Sequence, residues 1–144
     1  MSLIMEFMSK DHDRLDGIFI AFQKNKTENL EQAKTLFSSF ESGLRRHIVW
    51  EEEILFPAFE EQTGMKNMGP TAVMRMEHHK IKEFLDQIGQ KLQDNDIHTG
   101  DAEESLIGVL TSHNDKEEKI LYPWIDRSLS EEALTGMIVK MDKK

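Results

Sequence analysis

The chain is 144 residues long, with 38% hydrophobic residues, no cysteine and a formal net charge of −9. That is the size of one domain and enough to bury a core without covalent staples. The missing cysteines exclude disulfides, Cys-ligated zinc and thiol chemistry, and the negative charge argues against nucleic acid or an anionic membrane surface as a partner.

The predicted elements are helices. Glu, Lys, Leu, Met and Gln fill the periodic segments, as helix propensity favours. No segment alternates apolar and polar residues long enough for a strand. The first helix runs from about Ser2 to Lys24 and places Met8, His12, Leu15, Phe19 and Phe22 on one face. Asn25 to Glu28 breaks it. Asn29 caps the second helix, with Gln32 completing a capping box. That helix aligns Phe37, Phe40, Leu44, His47, Glu51, Leu55 and Ala58, and ends between Pro57 and Glu61. Pro70 opens the third helix, whose face reads Met74, His78, Ile81, Leu85, Ile88 and Leu92. The fourth, about Asp101 to Arg127, aligns Leu106, Leu110, His113, Glu117, Leu121 and Trp124. A short fifth helix, about 130–143, buries Leu134, Met137, Ile138 and Met141; it either covers one end of the bundle or meets a partner. Short connections between long amphipathic helices predict an all-α, up-down-up-down four-helix bundle. The whole of 1–144 reads as one domain, with its core bundle at about 5–127. No run approaches the ~20 apolar residues of a membrane span, and no signal peptide is evident, so a cytoplasmic location is expected.

The chain contains one pattern twice. His47 to Pro57 and His113 to Pro123 both read H-x-x-x-E-E-x-I-L-aromatic-P, 66 residues apart. The same offset carries His12 onto His78, Met8 onto Met74, Leu15 onto Ile81 and Phe19 onto Leu85. Helices one and two are therefore repeated as helices three and four, which predicts a pseudo-twofold pair of hairpins.

Within each copy, the histidine and the glutamate four residues later share one helix face that is otherwise apolar. Four helices thus aim His12, His47, His78, His113, Glu51 and Glu117 into one core. Burying an unpaired carboxylate costs at least several kcal/mol, and two would strain a domain whose whole stability is about 5–15 kcal/mol. Two divalent cations remove that cost, each half supplying His, His and Glu. A lone core histidine is usually just hydrogen-bonded, and a chance H-x-x-x-E is usually a surface pair. Neither reading predicts six residues that obey one offset. His79 and His98 are read as solvated. Five residues turn a helix by about 500°, which carries Glu52 and Glu118 off the histidine face. A π-bulge would bring one back, so Glu118 is the reserve ligand. Tyr122, the one tyrosine, is assigned to packing at a bundle end, with a place behind the metal ligands as the lesser option.

These six residues, in this order on four helices, resemble the hemerythrin-like, or HHE cation-binding, family over about residues 5–127. Ferritin-like proteins use Glu-x-x-His pairs and more carboxylates than histidines. Here the order is His then Glu, and histidines outnumber carboxylates four to two. The resemblance implies an oxo- or hydroxo-bridged centre of two iron ions, with Glu51 and Glu117 bridging. Zinc or another divalent metal is the expected substitute in a purified sample.

The sequence departs from the oxygen-carrier members, which have a fifth histidine where Lys82 stands here; its repeat mate is Asp16. Their last carboxylate is an Asp five residues after the final histidine, whereas Glu117 follows at four. The resemblance then implies one open position per iron. It points to a protein that binds or reacts with O2, NO or peroxide, or handles iron, with binding expected ahead of enzymatic turnover. The alternative is a metal-dependent sensor or interaction bundle without chemistry at the metal. No protein partner is assigned.

Overall fold

Helix α1 spans Leu3–Asn25 in the computed structural model, which describes residues 2–143. Of the predicted 1–144 domain, Met1 and Lys144 lie outside the described residues. Helix α2 (Leu30–Trp50) runs through a π turn, Glu51–Leu55, into α3 (Phe56–Thr63), so the three make one continuous rod. Helix α4 is Pro70–Gln93. Helix α5 (Gly100–Lys116) likewise passes through a π turn, Glu117–Leu121, into α6 (Tyr122–Ser128). Helix α7 is Glu131–Lys143. The described residues contain no strand.

Local chemistry sets the ends. The Asn29 side chain accepts from the Gln32 N–H at 3.1 Å, which begins α2 as expected. Gly64 adopts φ 76°, the left-handed conformation that ends α3 at low cost. Pro70, at the first turn of α4, gives up an N–H that the helix could not have used.

Helices α1 and α2 pack as one hairpin, and α4 packs on α5 as the other; α2 meets α4, and α1 meets α6. The core has two apolar layers. One is built from Leu15, Phe19, Phe22, Phe37, Phe40, Leu44, Ile81, Leu85, Ile88, Leu106 and Leu110. The other holds Ile4, Met8, Leu55, Phe56, Phe59, Met74, Leu121, Ile125, Leu134, Met137 and Met141. Each fully buried chain of this kind contributes about 1.5–3 kcal/mol of transfer free energy. Helix α7 supplies three residues of the second layer, so it closes one end of the bundle. There the buried Asp126 accepts the N–H groups of Ile4 at 2.8 Å and Met5 at 3.1 Å. A carboxylate from α6 thereby satisfies the free donors at the start of α1. At the other end, Lys26 meets the buried Glu103 at 2.5 Å, and Thr99 and Gln23 also donate to Glu103. Between the apolar layers lies a layer of buried polar side chains.

Candidate metal centre

The two π turns begin at Glu51 and Glu117. In each, the aromatic residue's N–H reaches back five residues: Phe56 to the Glu51 carbonyl, and Tyr122 to that of Glu117. The next residue is Pro57 or Pro123, which has no N–H to give and crowds the carbonyl four residues back. The α-helical ladder is thus broken at a fixed point, and the wider turn takes up the break. This corrects the placement of Glu52 and Glu118 off the histidine face: the π-bulge considered for one of them occurs in both halves. With the extra residue in the turn, both members of each Glu-Glu pair reach the histidine layer.

All six predicted residues meet there and are buried: His12, His47, Glu51, His78, His113 and Glu117 are each at most 3% exposed. Each histidine turns Nδ1 outward onto an acid. His12 Nδ1 lies 2.6 Å from Glu118, His47 Nδ1 2.8 Å from Asp11, His78 Nδ1 2.6 Å from Glu52, and His113 Nδ1 2.9 Å from Glu77. The Nε2 atoms face inward. His78 Nε2 is 3.0 Å from Glu51, and those of His12 and His113 are both 3.3 Å from Glu117. A proton donated from Nδ1 to an acid fixes the tautomer, so that Nε2 is the nitrogen that a cation can take in place of a proton.

Two groups of side chains could hold a cation. Ligand atoms of Glu51, His78, His113 and Glu117 lie within 4.8 Å of one another, and so do those of His12, His47 and Glu117. Electrostatics fit this donor set. Burial and the neighbouring Glu117 push the Glu51 carboxyl up. Burial acts on Glu117 the same way, but His113 and the other groups around it outweigh burial and hold it well below the usual range. Burial lowers the imidazoles, yet Glu117 and Glu118 hold His12 up at about 9, and Glu51 and Glu52 hold His78 up at about 9. Glu51 and Glu117 together hold His113 up at about 8. The site thus concentrates negative charge that only protons or cations can balance. Glu117 Oε2 is buried and has no hydrogen-bond partner among the described residues. An orphaned oxygen on a buried carboxylate whose other oxygen meets His12 and His113 fits a metal.

The Tyr122 ring packs in the layer that α7 closes, as expected, but its hydroxyl reaches the histidine layer. Its hydroxyl donates to Glu51 at 2.8 Å and stands 2.9 Å from Glu117. The residues the sequence reading missed are Asp11, Glu77 and Glu52; Tyr122 reaches the site in the way given as its lesser option. The signal was present: Glu77 follows Asp11, and Glu118 follows Glu52, by the same 66 residues. His79 and His98 are exposed, as expected. Lys82 is half-buried and adds to the positive field that lowers Glu52, after His78 and against burial. Asp16 borders a groove of about 1000 Å³ between α1 and α5, with Phe19, Phe40, Leu106 and Leu110 in its wall and Glu118 at its margin.

Residues 3–125 match the hemerythrin HHE cation binding domain. An uncharacterized hemerythrin-like protein of Schizosaccharomyces pombe is 31% identical over 144 residues, covering 99% of this chain and 69% of that protein. Iron–sulfur cluster repair proteins YtfE of Edwardsiella ictaluri and of an Enterobacter species are 28% and 33% identical, over 84% of this chain in each case. The chain spans 62% of the length of each of these two. No solved structure matches the chain. No helix of the described residues is long and apolar enough to cross a membrane.

Proposed function

The chain belongs to the hemerythrin HHE cation-binding family, and on that premise we propose that it holds two iron ions and uses them to bind or react with O2, NO or peroxide. His78 and His113 would hold one ion and His12 and His47 the other, with the carboxylates of Glu51 and Glu117 available to both. Bound iron would supply open coordination positions and one-electron redox chemistry for a small ligand.

One observation carries this reading: four imidazoles, each anchored through Nδ1 on its own acid, all turn Nε2 towards the same two carboxylates. A buried hydrogen-bond network would not need one orientation repeated four times. The protein's own residues do the rest. Asp11, Glu52, Glu77 and Glu118 orient the rings and keep the Nε2 lone pairs available. Leu15, Leu44, Ile81 and Leu110 exclude water on one side, and Met8, Leu55, Met74 and Leu121 on the other. The groove between α1 and α5 offers a small ligand an approach as far as Glu118, the acid that holds His12. The relatives named for iron–sulfur cluster repair support an iron-handling role in the same chemistry.

A second reading is favoured by α7, which packs on α1 and on the first π turn. There, metal occupancy stabilises the bundle end and so signals to a partner, without chemistry at the metal.

Anaerobic reconstitution with ferrous iron, followed by metal counting and optical spectra after O2 or NO, tests both. The first reading expects two irons per chain and new absorption on adding either gas. Metal-dependent melting with no spectral response to either gas supports the second. Failure to bind stoichiometric iron overturns both, as does unchanged metal content in His47→Ala combined with Glu117→Ala.

A further inference from the structure

Tyr122 and Phe56 occupy the same place in the two halves of the repeat, 66 residues apart. Each follows a π turn and packs against a histidine of the other hairpin. Phe56 lies flat on His78, with centroids 5.8 Å apart and planes at 9°. Tyr122 meets His12 at 5.7 Å but tilted by 34°. The tilt brings its hydroxyl among the inward-facing atoms of that half. The oxygen stands 2.8 Å from Glu51 Oε2, 2.9 Å from Glu117 Oε1, 3.2 Å from His47 Nε2 and 3.3 Å from His12 Nε2. It therefore lies central to one group of candidate ligand atoms. In the other half the corresponding ring is a phenylalanine, with no hydroxyl to place among Glu51 Oε1, His78 and His113.

We propose that the two metal positions are inequivalent and fill in order. The His78–His113 position takes the first divalent cation, and the Tyr122 hydroxyl, hydrogen-bonded to Glu51 and packed against Glu117, His12 and His47, obstructs the second. The inference rests on the reading that these six side chains hold two cations. It adds a residue that sets the order and the affinity of loading. A cation at the second position must displace the Tyr122 hydroxyl, whose one proton is given to Glu51 with Glu117 2.9 Å away. Hydrogen bonds to charged groups are worth a factor of about ten to a hundred in an equilibrium.

The experiment is calorimetric and optical titration of the chelator-stripped full chain with cobalt(II), whose visible spectrum reports the ligand set. The wild-type chain is expected to show two binding steps at least tenfold apart. His113→Ala abolishes the tighter step, while His47→Ala abolishes the weaker one. Tyr122→Phe brings the second step within a few-fold of the first. Phe56→Tyr, which places a hydroxyl in the opposite half, weakens the first step by tenfold or more. A purely structural role for Tyr122 would not predict that reciprocal effect. Should Tyr122→Phe lose its helical circular dichroism, Phe56→Tyr decides: an unchanged first step overturns the proposal. Two equal steps in the wild-type chain, or an unchanged ratio in a folded Tyr122→Phe, also overturn it while leaving the metal centre intact. If the wild-type chain binds no cobalt or ferrous iron, the metal reading falls and this inference with it.

Discussion

Asp11 and Glu77 do the same work in opposite halves of the molecule. Asp11 accepts from His47 at 2.8 Å, and Glu77 accepts from His113 at 2.9 Å. Each acid sits on one helix of a hairpin, immediately before that helix's own histidine, and orients the histidine of the other helix. Removing such a partner typically costs 10–100-fold in metal affinity. Asp11→Asn and Glu77→Gln are therefore each expected to weaken metal binding by about that factor, without removing a ligand. Competition with a chelator of known affinity measures it. Affinities within twofold of the wild-type chain would contradict the role of the outward nitrogens.

Chelation should lower the melting temperature. A ligand at a hundred times its Kd adds about 2.7 kcal/mol, which corresponds to roughly 5–10 °C for a domain of this size. Glu51→Gln should do the opposite to the stripped protein. It removes one of two adjoining buried carboxylates, so the chelated variant should melt above the chelated wild type while binding at most one metal. Parallel thermal melts with and without chelator, together with metal counts, check both halves of this expectation. A variant that melts lower in chelator would show that Glu51 stabilises the fold on its own.

The Lys26–Glu103 pair gives a pH signature away from the site. Burial raises the Glu103 carboxyl, but Lys26, Thr99 and Gln23 outweigh burial and hold it below the ordinary 4.5. A carboxyl depressed in the folded state contributes stability above its unfolded value and loses it as pH falls through the folded one. Stability should therefore drop on acidification below about pH 4.5. In Lys26→Met the buried carboxylate keeps only the neutral donors Thr99 and Gln23, at a cost of up to about 3–5 kcal/mol at pH 7. The sign then reverses, because the unpaired carboxyl rises above its unfolded value and mild acid stabilises the variant. Urea midpoints between pH 4 and pH 7 read this directly; the same slope in both chains would mean the pair contributes nothing.

Helix α7 is structural in this arrangement. Leu134 is 1% exposed and belongs to the layer beneath the histidines. Leu134→Ala should cost about 2–5 kcal/mol, as for other buried leucines. It should also loosen the site, because Tyr122 lies in the same layer. A urea midpoint unchanged from the wild type would mean that α7 only rests on the bundle.

The helices and the six central residues were legible because their signals are periodic. The 3.6-residue spacing placed Met8, His12 and Leu15 on one face, and the 66-residue offset separated His78 from His79. What periodicity could not convey is a change of period. Glu52 and Glu118 fall off the histidine face of an ideal helix, and only the π turns bring them to His78 and His12. The cause was visible in Pro57 and Pro123, which free a carbonyl four residues back, but proline alone does not say how a helix absorbs the break. Asp11 and Glu77 are polar residues beside a ligand, and their role depends on a histidine from the neighbouring helix. Among the site residues named above, Tyr122 is the one whose repeat mate differs in chemical class, since Asp11 and Glu77 are both acids. A comparison of the two halves placed it opposite Phe56 but could not supply the tilt that brings its hydroxyl inward.

The hairpin of α1 to α3 and that of α4 to α6 hold each other's histidines. His12 leans on Glu118 and His78 on Glu52, while Glu51 meets His78 and Glu117 meets His12. Neither hairpin carries a finished half of the site. The centre therefore works as a clasp that reports assembly: chain cut in the 64–69 loop would be two self-complementary pieces, and the cation would act as the bolt between them. Metal release would then loosen the seam between the two hairpins, so that loading and their fit would be linked.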